Sequence, residues 1–163
     1  MVDYEKGRAD KLTDFVWLTD DTISRGSWCY TQNLGIIKSL EIVRTLADIV
    51  SKNGQLMLNI SPKADGTIPD NQKKVLLEIG DWMRQNGEAI YGTRPFVEYG
   101  EGPTKMESGG MFAKMKGGYS AKDIRYTRKG NTVYAIVLGW PGENTQVTFA
   151  RIIKRELYCF CTS

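Results

Sequence analysis

The chain has 163 residues and a formal net charge of +3, with 41% hydrophobic and 25% charged residues, which is typical of a globular protein. So small a charge excess, spread along the chain, gives no reason to expect nucleic acid or an acidic membrane surface as a partner. The absence of histidine excludes Ser-His-Asp and Cys-His nucleophiles and every histidine-ligated metal site. Acid–base chemistry therefore falls to Asp, Glu, Tyr, Lys or Cys.

The cysteines indicate neither a disulfide framework nor a metal centre. Cys29, Cys159 and Cys161 are odd in number and form no CxxC pair. No apolar run approaches the roughly 18 residues that a membrane span requires, and no signal peptide opens the chain. We therefore expect no membrane partner, no metal and no cofactor.

The N-terminal half predicts a helix followed by a strand. Residues 1–37 are polar and are predicted to be irregular. Apolar residues then recur at helical spacing over residues 40–50, with Ser39 as the predicted cap and an Asn-Gly pair as the stop. Residues 55–60 alternate in a way that predicts a short buried strand.

A second helix is predicted from Asp70 to Asn86, with Asp70 as its cap. The apolar stripe expected to be buried on it consists of Val75, Leu76, Ile79, Trp82 and Met83. Helix, strand, loop and helix in this order favour an α/β fold. The loop after the strand is the place where such folds hold ligands, so Asn59 and Lys63 are candidate ligand contacts.

The C-terminal half has a different pattern. The range 98–120 is rich in glycine and is predicted to be a linker or mobile loop. Residues 123–128 and 132–138 are β-prone and are separated by Lys-Gly-Asn, which predicts a hairpin. Residues 146–149 alternate again, so a small antiparallel β region is expected.

Carboxylates and aromatic rings are interleaved near the N-terminus. Enzymes that cleave sugars need two carboxylates, and they also use ring faces that stack on the sugar. The candidate catalytic carboxylates are Asp3, Glu5, Asp20 and Asp21, and the candidate substrate-binding rings are Tyr4, Trp17 and Trp28. The alternative is a solvated acidic loop, in which adjacent aspartates form a turn or cap.

Several long segments resemble the α-L-fucosidases, glycoside hydrolase family 29. The main one is DIVSKNGQLMLNISPKADGTIP, residues 48–69, and GEAIYGTRP and GEGPT follow at 87–95 and 100–104. Upstream, residues 17–24 and SWCY at 27–30 resemble the family segment that ends in Ser-Trp-Gly-Tyr. The match runs in unbroken order over roughly residues 3–150, which is far more specific than one short motif.

The resemblance implies the fold. It implies the last β/α units of a partial (β/α)8-type barrel over residues 1–97, the glycine-rich linker over 98–120, and the start of an antiparallel β-sandwich over 121–163. A complete barrel needs about 250 residues, so the resemblance implies a truncated enzyme. An exposed barrel edge favours a homo-oligomer.

The resemblance also implies the activity, which is retaining hydrolysis of terminal α-L-fucosides on glycans or simple fucosides. Family members are mostly secreted, periplasmic or lysosomal, and the compartment of this chain stays unknown. The family nucleophile lies in an earlier Trp-containing motif that is absent here. Activity would then need Asp20 or Asp21 as a substitute nucleophile, or residues shared between subunits.

The acid/base carboxylate varies in position within the family. Some members place it in the stretch matched by Asp3-Tyr4-Glu5, which makes Asp3 the candidate by position and Glu5 its neighbour. Others place it after the tryptophan matched by Trp17, where this chain has Leu18. The alternative function is an inactive carbohydrate-binding or structural remnant of a fucosidase.

Overall fold

The computed structural model describes residues 2–105, 118–152 and 157–162. Within these ranges the chain forms two helices, seven strands and a short 3₁₀ turn at Gly87–Ala89. In chain order the helices and strands are β1 (Val2–Glu5), β2 (Trp17–Thr22), α1 (Ser39–Ser51), β3 (Gly54–Asn59), α2 (Asp70–Asn86), β4 (Arg94–Glu101), β5 (Ile124–Lys129), β6 (Thr132–Val137) and β7 (Leu157–Cys161).

The first sheet is parallel and has the order β1-β2-β3. Helix α1 connects β2 to β3, so the predicted α/β class is confirmed. The prediction that residues 1–37 are irregular is wrong, because β1 and β2 lie within them. These strands carry acidic side chains on one face, and that polarity hides the alternation by which a strand is recognised in a sequence.

The second sheet has the order β4-β5-β6-β7. The predicted hairpin is confirmed: β5 and β6 pair antiparallel, and Gly130 takes a positive φ of 59° in the turn between them. The region is not wholly antiparallel, since β7 pairs parallel with β6. The strand expected at residues 146–149 is also absent, because that segment packs Val147 and Phe149 on the core without joining the ladder.

Both helices lie where they were predicted, but their caps differ. The Ser39 hydroxyl donates a 2.6 Å hydrogen bond to Glu78 of α2 instead of capping α1, and Lys38 precedes the helix. Asp70 is in the first turn of α2, where its charge favours the helix dipole, and Pro69 holds the cap position. The apolar stripe of α2 faces inward but stays half-buried, and Gln72 is the buried residue of this helix.

The glycine-rich range begins inside β4, because residues 98–101 belong to that strand. The predicted domain boundaries at 97 and 120 stay predictions. Neither α1, with 13 residues, nor α2, with 17, is long and apolar enough to cross a membrane, and these are the helices of the described residues.

Helix α1 lies between the two sheets and contributes to both cores. Ile49 packs with Trp17 of the parallel sheet, and Ala47 packs with Tyr134 and Ile136 of the second sheet. A helix that fills both interfaces has little surface left for solvent, which agrees with the complete burial of Ala47 and Ile49.

A buried ion cluster fixes this arrangement. Asp48 of α1 accepts a 2.9 Å hydrogen bond from the Lys52 ammonium and a 2.6 Å hydrogen bond from Arg125 Nε of β5. Arg8, in the loop between β1 and β2, lies with Nη1 3.6 Å from the same carboxylate. One carboxylate therefore connects α1, the β1–β2 loop and the second sheet.

The charges around Asp48 determine its protonation. Burial by itself raises the pKa of the carboxyl, but the positive charges of Arg125, Lys52 and then Arg8 outweigh burial and lower the pKa to about 2. Asp48 is consequently ionised throughout the neutral range. The pKa of Lys52 is lowered in turn, first by burial and against the attraction of Asp48.

We expect Asp48→Asn to lower the free energy of unfolding by about 3 kcal/mol at pH 7, because it leaves buried cations without their anion. The folded pKa of about 2 lies below the ordinary value of 3.8, so the ionised state stabilises the fold above pH 4. That stabilisation, about 2 kcal/mol, disappears as the pH falls towards 2. Urea denaturation at both pH values measures this.

The matched control is Glu41→Gln, which breaks the exposed 2.8 Å ion pair with Arg25. Exposed pairs contribute under about 1 kcal/mol, so this variant should remain close to the wild type. Two results would contradict the stabilising role of ionised Asp48. One is an equal loss of unfolding free energy in the two variants, and the other is a loss for Asp48→Asn that is as large at pH 2 as at pH 7.

Candidate functional site

Three of the four candidate carboxylates share one face of the parallel sheet. Asp3 is paired with Leu18, and Glu5 is paired with Asp20, which is paired in turn with Met57. Side chains of paired residues in neighbouring parallel strands point the same way, and the direction alternates along each strand. Asp3, Glu5 and Asp20 therefore lie together on a surface that we call the acidic face.

Glu5 and Asp20 are the closest pair on the acidic face. Their strands are neighbours and their Cα atoms are in register, so the two backbones are about 4.8 Å apart. Asp20 Oδ1 is buried and has no hydrogen-bond partner among the described residues. A buried acceptor without a partner is costly in a folded protein, and a catalytic role is one explanation for such an atom.

Tyr4 and Trp17 lie on the opposite face of the sheet. The Trp17 ring is fully buried against Ile49 of α1, and its Nε1 donates a 3.0 Å hydrogen bond to the Lys52 carbonyl. Tyr4 packs edge-on against it, with 5.3 Å between the ring centroids. These contacts make Trp17 a core residue, and Tyr4 is half-buried beside it.

The absence of a side chain at Gly54 makes room for the Trp17 ring. A Cβ atom at position 54 would lie 2.5 Å from the indole ring and 2.7 Å from Ile49. This approach is closer than any side chain allows, so the first position of β3 has to be glycine while the tryptophan keeps its place.

Trp28 lies at the carboxyl-terminal edge of the sheet. Its carbonyl accepts a 2.9 Å hydrogen bond from the Asn59 amide at the end of β3 and a 3.0 Å hydrogen bond from the Ser61 hydroxyl. Asn59 also donates to Thr22 Oγ1 at 3.3 Å. The loop that follows β2 is therefore fastened to the end of β3, and the indole stays half-buried.

A lysine adjoins the tryptophan at this edge. Lys6 directly follows Glu5 at the end of β1, and its ammonium lies 4.5 Å from the centroid of the Trp28 ring. Such a contact is a cation–π interaction and holds the ring in place. The edge thus combines a ring, a cation and the carboxylates of the acidic face, where ligands of α/β proteins bind.

Asp21 is separated from the other candidates. It is paired with Leu58 on the face that α1 covers, and it lines a cavity of about 330 Å³ together with Arg8 and Glu41. Its Oδ1 accepts a 2.8 Å hydrogen bond from the Thr22 amide. Asp20 and Asp21 are neighbours in sequence, yet the pleat sends them to opposite sides of the sheet.

The candidate contact Asn59 takes part in the edge, whereas Lys63 lies in the exposed loop beyond it. Lys6 and Ser61 were missed by sequence reasoning. Each follows the end of a strand, which is the signal that could have found them, but the strand β1 before Lys6 was itself not predicted.

Comparison with known proteins identifies the family of the chain. Residues 1–88, which include the parallel sheet and both helices, match the family model of α-L-fucosidases. The chain belongs to the α-L-fucosidase family. Tissue α-L-fucosidase of Homo sapiens is 32% identical over 84% of this chain and 26% of its own length. The α-L-fucosidase of Branchiostoma floridae is 34% identical over 77% of this chain and 25% of its own.

Solved α-L-fucosidases resemble the chain in structure as well. The Thermotoga maritima α-fucosidase in complex with fucose superimposes with a TM-score of 0.59 at 39% identity, over 76% of this chain and 26% of that one. Isoenzyme 1 of Paenibacillus thiaminolyticus gives 0.60 at 28% identity, over 79% and 27%. The chain spans about a quarter of the length of these family members.

We expect Asn59→Asp to loosen the loop after β2, because a carboxylate in place of the amide repels the Trp28 carbonyl instead of donating to it. The loss of this bond should cost about 1–3 kcal/mol of unfolding free energy. Faster hydrogen exchange in the loop and a shift in tryptophan fluorescence would report the change.

Asn33→Asp is the control, since it makes the same chemical change at an exposed position. Asparagine and aspartate both tolerate the positive φ of 62° found there, so little change is expected. Loop exchange that is unchanged in Asn59→Asp would show that the amide does not hold Trp28.

Proposed function

We propose that the acidic face belongs to a glycoside hydrolase site that cleaves terminal α-L-fucosides with retention of configuration. The supporting observation is the register of Glu5 against Asp20 on neighbouring strands. Retaining enzymes need two carboxyl groups about 5 Å apart, one to attack the anomeric carbon and one to exchange a proton with the leaving oxygen. Strand backbones about 4.8 Å apart allow side chains at paired positions to approach this separation.

In this proposal Asp20 is the nucleophile and Glu5 is the acid/base, with Asp3 as the alternative acid. The buried Asp20 Oδ1 has no partner among the described residues, which suits an oxygen that meets the anomeric carbon only when substrate is present. The half-buried ring of Trp28 forms the wall on which the sugar stacks. Asp21, on the other face, takes no part.

We also propose that β1 to β3 with their two helices are the last β/α units of a (β/α)8-type barrel, in which α1 and α2 lie outside and the acidic face points to the barrel axis. Parallel strand order and the edge formed by Trp28 and Asn59 support this architecture. The substrate class, a fucosylated glycan or simple fucoside, rests on family membership and on the fucose complex of the Thermotoga maritima relative.

The test is release of p-nitrophenol from p-nitrophenyl α-L-fucoside. Asp20→Asn and Glu5→Gln should each lower kcat/KM by roughly a hundredfold or more, since each removes a group that acts in the transition state. Glu5→Gln should also remove one limb of the pH profile, which an effect on folding alone would not do.

Asp21→Asn is the matched control, because it neutralises the adjacent carboxylate on the opposite face. Its activity should stay within about threefold of the wild type, a change under 1 kcal/mol. Equal losses in all three variants would contradict the assignment of the acidic face.

A second candidate function is fucose binding without turnover. Leu18 stands at a position where other family members carry the acid/base, and it cannot exchange a proton. Calorimetry that shows fucose binding while no p-nitrophenol is released would favour this function over hydrolysis. Failure of both assays would leave an α/β module without affinity for the sugar.

We further propose that the parallel sheet pairs with a second copy of this chain. Strands β1 and β3 are its two edges, and they carry Val2, 40% exposed, and Met57, 54% exposed. Unprotected edges of this kind tend to be covered by another chain.

Light scattering at micromolar concentration should give a mass above that of the monomer, and Met57→Lys should lower it because an edge charge opposes strand pairing. Val97→Lys, at a 79% exposed position of β4, should leave the mass unchanged. A wild-type protein that is monomeric under these conditions would contradict the association.

A further inference from the structure

The ion cluster around Asp48 carries more positive charge than its carboxylate neutralises. Lys52, Arg125 and Arg8 surround one aspartate, which leaves a formal excess of two positive charges in these four side chains. Lys52 and Arg125 are almost fully buried. Buried cations without a matching anion are costly, and proteins ordinarily offset such charges by pairing.

A cavity lies directly beside the excess charge. Its volume is about 140 Å³, and it lies between the carboxyl-terminal end of α1 and the start of β5. The residues that line it are mostly basic or hydroxyl-bearing: Lys52, Lys105, Arg125, Thr104, Tyr99 and Tyr119, with Asp10 as the acidic member. Polar walls and a net positive charge make this cavity unsuited to an apolar ligand.

The donors that reach the cavity are held in place. Arg125 is flanked by two rings, with its guanidinium carbon 5.6 Å from the Tyr99 centroid and 5.4 Å from that of Tyr119. Lys52 donates one hydrogen bond, to Asp48, among the described residues, although an ammonium has three donors. The guanidinium is also oriented by hydrogen bonds from Nε to Asp48 and from Nη1 to the carbonyls of Glu101 and Ile124, so both cations are held beside the cavity.

The size of the cavity limits the ligand. About 140 Å³ accommodates roughly five water-sized groups, which is the size of phosphate, sulfate or a small carboxylate. A monosaccharide has about twice as many heavy atoms as these anions, so the small volume and the cationic lining favour the anions. The cavity is also on the Trp17 side of the parallel sheet, since the Lys52 carbonyl accepts the Trp17 hydrogen bond, and so it is separate from the acidic face.

We propose that this cavity is a binding site for a small oxyanion, held by Lys52, Arg125 and Lys105. The oxyanion would supply the negative charge that Asp48 alone does not. The anion site uses none of the residues of the acidic face. A negative result for fucoside hydrolysis would therefore not affect this proposal.

Calorimetry of the purified protein with inorganic phosphate at constant ionic strength tests the site. Binding should be saturable with one site per chain. Lys105→Ala removes an exposed cation from the rim and should weaken binding roughly fivefold to tenfold. Asp10→Asn removes the acidic rim residue and should strengthen binding by a similar factor. Both side chains are exposed, so neither substitution threatens the fold.

Lys73→Ala is the control, because it removes an exposed lysine of α2 that does not line the cavity. Its affinity should equal that of the wild type. Parallel titrations with acetate and chloride distinguish a site for tetrahedral oxyanions from one that accepts carboxylates or any anion of small size. The proposal is overturned if no saturable binding occurs, or if Lys105→Ala and Asp10→Asn leave the affinity unchanged.

Discussion

The fold depends on one buried carboxylate. Asp48 of α1 is fully buried and faces cations from the end of its own helix at Lys52, from the β1–β2 loop and from β5. Asp48 lies in α1, which packs on the parallel sheet, and Arg125 lies in β5 of the second sheet. Their contact therefore fixes how the two sheets are placed relative to each other. Buried ion pairs seldom add net stability over apolar packing, but they penalise every arrangement that leaves one charge alone. Asp48 thus selects this packing of α1 over alternatives.

The same sheet that α1 covers presents the acidic face on its other side. Parallel pairing brings Glu5 beside Asp20, and like charges at paired positions destabilise a strand pair. Trp17, Tyr4 and Leu56 stabilise the covered side by apolar contact. The parallel sheet therefore has one packed side and one charged side.

Local sequence patterns were sufficient to predict the helices, one strand of the parallel sheet and the hairpin of the second sheet. Helices α1 and α2, strand β3 and the β5–β6 hairpin follow from periodicity and turn residues. Strands β1 and β2 do not, because β1 depends on pairing with β2, and β2 depends on pairing with β3 and on Trp17 packing under α1. Strand β7 likewise depends on β6.

The candidate site shows the same limit. The carboxylates and rings were identified by residue type, but the assignment of Asp20 and Asp21 to opposite faces requires the strand and its register. Trp17 was grouped with Tyr4 and Trp28 as a ring close in sequence to the carboxylates, whereas the structure buries Trp17 completely and leaves Trp28 half-buried. Lys6 and Trp28 are 22 positions apart, and the bond from Asn59 that positions the ring cannot be inferred from spacing.

The close contact between Gly54 and Trp17 has an evolutionary consequence. The indole of Trp17 fills the space that a side chain at position 54 would need. A larger residue at position 54 is therefore acceptable only after Trp17 has been replaced by a smaller residue. The two sites are expected to vary jointly among related sequences, and the order of the two steps matters: the intermediate with both large side chains is the one that selection removes.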